Sequence, residues 1–255
     1  MLGHFVVVAL IQLLTGGGIN GDCADNTCAT NPKRDCSCFE SRLSREPYGF
    51  NTFIQPDRNL PAFEVQCSNL DGKLWTVIQA REEFNAADLA PDGFDRTYAE
   101  YRDGFGKLTG NYWLGLHKVH ALTTAVDMSM RLEMYNAQYD LLHGQYDVFR
   151  VAGASHNYRL TVAGHSGNAA STIASDSNGQ QFSAKGQDSG GDECPAKFKA
   201  GWWYAKGQPS CATCTPNGPL ATDQLGQMGC DTNGFGRERA TSVTMLITPE
   251  SYLAK

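Results

Sequence analysis

The chain has 255 residues, with 27 acidic against 21 basic side chains and a formal net charge of −6. Its pI is near 5.5. It holds no run of Lys or Arg, which argues against nucleic acid or an anionic membrane as a partner.

Phe5 to Leu14 is a ten-residue run, apolar except for Gln12, followed by Thr15-Gly16-Gly17-Gly18. An apolar stretch of that length with small residues after it reads as a secretory signal peptide over residues 1–18. It is too short to span a bilayer, which needs about 20 apolar residues. All nine cysteines lie beyond it. In a secreted chain they read as disulfide formers, and an odd count leaves at least one for another chain or for none. No Asn-x-Ser/Thr sequon occurs.

Residues 19–37 are polar and hold Cys23, Cys28 and Cys36. They read as a short arm without heptads or Gly-X-Y repeats. One domain then runs over residues 38–250. Tyr98, Tyr101, Phe105 and Leu108 follow a helical stripe that stops at Gly110, and Val119 to Ala125 suits a second short helix. Met128, Met130, Leu132 and Met134 alternate with polar residues as a strand does, and so do Tyr158, Leu160 and Val162. Val243 to Ile247 is a β-prone run near the end. Residues 164–237 are rich in Gly, Ser, Asn, Asp and Pro and contain Cys194, Cys211, Cys214 and Cys230. They read as stapled loops, which carry binding function when held on a rigid scaffold. The fold class is α+β.

Several motifs imitate catalysis. Asp188-Ser189-Gly190-Gly191 has the sequence found around a protease nucleophile, but no matching histidine block accompanies it. Gly164-His165-Ser166-Gly167 misses the nucleophile-elbow pattern by one place. Cys211-Ala212-Thr213-Cys214 lacks the second ligand pair a zinc site needs, so its cysteines read as structural. The six histidines show no metal-ligand spacing. Trp75, Trp113, Trp202 and Trp203 read as core, with Trp203 the one candidate to reach the lobe surface. The chain is therefore read as non-enzymatic.

The blocks Trp75-Thr76-Val77-Ile78-Gln79, Tyr98-Ala99-Glu100-Tyr101-Arg102-Asp103-Gly104-Phe105-Gly106, Asn111-Tyr112-Trp113-Leu114-Gly115 and Gly201-Trp202-Trp203-Tyr204 come in a telling order. That order resembles the fibrinogen-related domain of fibrinogen chains, ficolins, tachylectins and angiopoietins. The resemblance covers residues 38 to about 250. It implies a small N-terminal subdomain, a central twisted and mainly antiparallel sheet with helices, and a loop-rich lobe for calcium and ligand. It also implies a bridge from Cys38 to Cys67, with Cys36 as the rival partner, and a second from Cys194 to Cys211 across an insertion at Gly207 to Ser210. Cys214 and Cys230 are then open to pair with each other.

On the calcium loop, the resemblance places a carboxylate at Asp188 and carbonyl donors at Gly190 and Asp192. Gly186 stands where the family has its first aspartate, which weakens the site; Asp192 or Glu193 could swing in, or the segment is a solvated acidic loop. The implied ligand pocket involves Cys211, Ala212, Tyr204 and Phe235. Ala212 replaces the histidine of acetyl-binding members. Phe235 and Tyr252 are the only aromatic residues beyond Tyr204. The expected function is secreted, lectin-like binding of acetylated or microbial surface glycans in innate immunity. The alternative is an extracellular protein-binding module that has lost the acetyl pocket. Cys23, Cys28 or Cys36 would join chains into oligomers.

Overall fold

The computed structural model describes residues 32–83, 93–207, 211–220, 228–232 and 236–254. The expected signal peptide, the arm up to residue 31 with Cys23 and Cys28, part of the insertion, and Phe235 lie outside the described residues.

Three antiparallel strands open the sheet: β1 (Gly49–Ile54), β2 (Phe63–Leu70) and β3 (Lys73–Glu82). A short pair follows, β4 (Phe105–Gly106) and β5 (Tyr112–Trp113), with β5 laid on β3. The meander β6 (Met128–Tyr135), β7 (Leu141–Val151) and β8 (Leu160–Gly167) forms the other half. A small hairpin, β9 (Gly229–Thr232) and β10 (Gly236–Arg239), belongs to the lobe. The last strand, β11 (Ser242–Pro249), inserts between β3 and β6, giving the order β1-β2-β3-β11-β6-β7-β8. It thus welds the two meanders into one sheet.

The side chains explain this placement. Met128, Met130, Leu132 and Met134 on β6 are all buried, and so are Val243, Met245, Leu246 and Ile247 on β11. Central strands covered on both faces read as near-continuous apolar runs, as Leu74 to Ile78 does on β3 with every residue buried.

Helix α1 (Tyr98–Asp103) starts at a capping box: Thr97 accepts from the Glu100 amide, and the Glu100 carboxylate accepts from the Thr97 amide. It ends at Asp103, five residues before Leu108, the last position of the Tyr98-Tyr101-Phe105-Leu108 stripe. Gly104 has φ +98, and a Cβ there would strike the Leu114 carbonyl. The chain turns there, and Phe105 pairs with Trp113 as strand instead. Helix α2 (Leu116–Ala125) begins three residues before the expected Val119 and packs on β7. Its His120 Nδ1 lies 2.8 Å from the Val151 carbonyl. Tyr158 is buried but lies outside β8, with φ +49.

The N-terminal bridge differs from the expected one. Cys67 on β2 is bonded to Cys36, not to Cys38. Cys36 opens a 3₁₀ turn, Cys36–Arg42, capped by the Asp35 carboxylate, which accepts from the Ser37 amide at 2.9 Å. Residues two apart on such a turn point about two-thirds of a turn away from one another, so only one cysteine can face β2. The Cys36 amide donating to Thr76 Oγ1 at 3.3 Å fixes which. Cys36 is therefore unavailable to join chains. Cys38 is also disulfide-bonded.

Candidate functional site

The lobe is held to the sheet by aromatic rings. Trp202 and Trp203 are buried, and so is every other tryptophan; Trp203 does not reach the surface because its indole is needed inside. Its Nε1 donates to the Tyr158 carbonyl at 2.7 Å, and its ring lies 5.0 Å from Phe182 and 6.2 Å from Trp113. The Trp202 Nε1 donates to Ser177 Oγ at 3.1 Å. Trp202 and Ser183 exchange both backbone hydrogen bonds. Buried indole N–H groups that all find acceptors make this junction specific as well as apolar.

Bridges Cys194–Cys211 and Cys214–Cys230 staple the loops. Asp231, next to Cys230, accepts from Ser171 Oγ at 2.5 Å, from the Thr172 amide at 3.2 Å and from the Thr172 hydroxyl. This carboxylate ties the hairpin β9–β10 to the turn at Ile173–Ser177.

The lobe holds a cleft of about 330 Å³ lined by Arg159, Gly179, Gln180, Gln181, Ser189, Gly190, Tyr204 and Lys206. Arg159 precedes β8. Gly179 to Gln181 form the turn that returns to it, the Gly179 amide donating to the Leu160 carbonyl at 2.8 Å. Ser189 and Gly190 come from the acidic loop, and Tyr204 and Lys206 from the segment after the tryptophan pair. Arg159 and Lys206 are exposed at the rim, and no carboxylate among the described residues lines the cleft. Tyr204 is buried, its hydroxyl donating to the Ala200 carbonyl at 2.8 Å, and burial pushes its phenol well above its ordinary pKa. It therefore stays a neutral wall.

Of the expected pocket residues, Tyr204 lines this cleft, whereas Cys211 and Ala212 are buried and do not. Arg159, Gln180, Gln181 and Lys206 belong to no motif, and only their convergence in space marks them.

The loop that would take calcium is arranged around its own amides. Asp188 Oδ1 accepts from Gly190 N at 3.1 Å and Gly191 N at 3.2 Å, and its Oδ2 from Glu193 N at 2.7 Å. The Asp192 carbonyl accepts from Lys197 Nζ at 2.7 Å, and its carboxylate from Gly207 N at 2.7 Å. Calcium takes six to eight oxygens at roughly 2.3–2.6 Å. Here both carboxylate oxygens of Asp188, and the carbonyl and one carboxylate oxygen of Asp192, already accept hydrogen bonds, and Gly186 supplies no carboxylate. Among the described residues, no group of three or more His, Cys, Asp or Glu side chains is placed to share a metal ion. As arranged, these residues do not fit calcium.

Ser189 Oγ donates to the Phe182 carbonyl at 3.0 Å, and the Ser189 amide donates to Ser183 Oγ at 2.9 Å. Among the described residues no imidazole is its partner, and the protease-like motif forms a turn. Cys211 and Cys214 belong to separate bridges, not to one metal site. No helix among the described residues is long and apolar enough to cross a membrane.

The profile of the family described as "Fibrinogen beta and gamma chains, C-terminal globular domain" matches residues 33–234. Human Fibrinogen C domain-containing protein 1 is 33% identical over 189 residues, covering 71% of this chain and 39% of that protein. Human Angiopoietin-1 is 34% identical over 234 residues, covering 87% of this chain and 44% of that protein. The chain thus spans about four-tenths of the length of these relatives. The fibrinogen-like globe domain of human ANGPTL2 superposes with a TM-score of 0.74 at 25% identity, covering 86% of this chain and all of that one. The antiparallel sheet closed by β11, the tryptophan-pinned lobe and these matches together place the chain in the fibrinogen C-terminal domain family.

Proposed function

We propose that this chain is a secreted, non-enzymatic recognition module whose lobe cleft binds an acidic, acetylated sugar of the kind found on microbial surfaces. The lining of the cleft carries this reading: two cations, the amides of Gln180 and Gln181, the hydroxyl of Ser189 and one aromatic wall, with no carboxylate among the described residues. Amides and hydroxyls suit sugar hydroxyl and acetamido groups. Arg159 and Lys206 suit a carboxylate, because charge-assisted hydrogen bonds are the strong ones. The family membership supports an extracellular binding role, and the apolar run at Phe5–Leu14 supports secretion.

The test is binding of the purified protein to immobilised neutral and acidic glycans, with free sugar as competitor. Acidic acetylated sugars should bind and compete, and Arg159→Ala or Lys206→Ala should each weaken binding by about ten- to a hundredfold, the worth of one lost charge-assisted bond. Equal binding of neutral sugars by all three proteins would refute the cleft. Single sugar sites are weak, and linkage multiplies them. Nine cysteines cannot all pair within one chain, and with Cys36 committed, Cys23 or Cys28 is the one left to join chains. Non-reducing gels should show dimers or larger species that collapse on reduction. A purely monomeric band would remove the covalent oligomer.

A protein partner is the second reading. Tyr139, 70% exposed, stands with Tyr135 and Leu141 at the tip between β6 and β7. Large exposed apolar side chains grouped on one hairpin are what a protein interface uses. Binding that no sugar displaces would favour it.

A further inference from the structure

Lys197 lies on the one-turn helix α3 (Cys194–Phe198), directly after the acidic loop. Its backbone amide donates to the Glu193 carbonyl at 3.0 Å, and its side chain folds back so that Nζ donates to the Asp192 carbonyl at 2.7 Å. We propose that this ammonium is the resident cation of the 186–194 loop, and that the loop holds its shape without any metal ion.

The loop carries three carboxylates, those of Asp188, Asp192 and Glu193. Left alone, they would repel one another. Two of them are engaged by backbone hydrogens. Asp188 takes three amides, and Asp192 takes the Gly207 amide. These backbone N–H donors satisfy carboxylate oxygens that would otherwise need another partner. Lys197 adds a full positive charge at the Asp192 carbonyl, which the N–H groups do not supply.

Admitting a divalent ion would require Asp188 to release its amides and Lys197 to withdraw. The ion would then gain few ligands, because position 186 is glycine with φ +86. An ammonium satisfies fewer oxygens than calcium, with three donors, and the loop asks for fewer because its own amides satisfy the rest. The disulfide from Cys194 to Cys211 anchors the end of the loop against the lobe. Ser189 and Gly190, which form one wall of the cleft, are therefore positioned whether or not calcium is present.

The experiment is hydrogen exchange and thermal melting of the whole protein in millimolar calcium and in excess chelator. Wild type should give the same exchange at the Gly190, Gly191 and Glu193 amides, and the same melting temperature, in both. Lys197→Met should speed exchange at those amides by about tenfold, as loss of one charged hydrogen bond permits. Lys199→Met, a neighbouring exposed lysine with no side-chain bond among the described residues, should change nothing. Both lysines are exposed, so folding is retained. Saturable protection of wild type by calcium would overturn the proposal, and so would unchanged exchange in Lys197→Met. Neither result depends on the identity of the bound sugar.

Discussion

Trp203→Ala should lower the unfolding free energy by about 4 kcal/mol, the size expected when a buried tryptophan is truncated and its cavity cannot collapse. Trp203 is 0% exposed. Its ring stands among Phe182, Trp202, Trp113 and Phe149, with centroids 5.0, 5.1, 6.2 and 6.5 Å away. Those rings come from β5, β7 and the lobe, so they cannot all move into the space. The change also orphans the Tyr158 carbonyl, which accepts from Trp203 Nε1, and an unpaired buried polar group adds about 1–3 kcal/mol by itself. Trp203→Phe keeps most of the volume and should cost about half as much. Denaturant unfolding followed by fluorescence measures both, and a loss below about 1 kcal/mol for the alanine variant would be no more than an average point mutation and would show that the ring is not a keystone. The variant should also lose sugar binding, because Trp202 and Trp203 hold Tyr204 and Lys206 against the sheet.

The sheet was more legible in the sequence than the site. The alternation of Met128 to Met134 is a period-two signal and Val243 to Ile247 a β-prone apolar run, and both are central strands. The helical stripe from Tyr98 overran because period alone does not register a tertiary clash. Gly104 sits where its backbone meets the Leu114 carbonyl, and Phe105 is claimed by Trp113. The family blocks pointed to the lobe, and Tyr204 is common to the expected pocket and the observed cleft. The remaining lining was invisible. Arg159, Gln180 and Lys206 are scattered over separate segments, and nothing local distinguishes them from any exposed polar residue. Lys197 had a weak signal, a lysine one turn past an acidic loop. Its meaning depends on where Nζ lands, which spacing does not state.

Replacing Cys36 and Cys67 together by serine should cost about 3.7 kcal/mol, about 0.5 kcal/mol more than the roughly 3.1 kcal/mol expected from removing Cys194 and Cys211, by the loop-closure relation. The bridges close separations of 31 and 17 residues respectively, and a longer closed loop removes more freedom from the unfolded chain. Both cysteines of each pair must go, because a single change at Cys36 leaves a Cys67 thiol that could exchange with the bonded Cys38 two residues further along. Cys38→Ser should leave the Cys36–Cys67 bond intact, and denaturant midpoints of the three variants should therefore separate. Fragment mapping without reduction gives the independent reading: a peptide holding Cys67 linked to Cys38 would reverse the pairing. The stability difference and the map bear on one geometric fact. The 3₁₀ turn presents a single face to β2, and the Cys36 amide bonded to Thr76 Oγ1 sets which cysteine stands on that face.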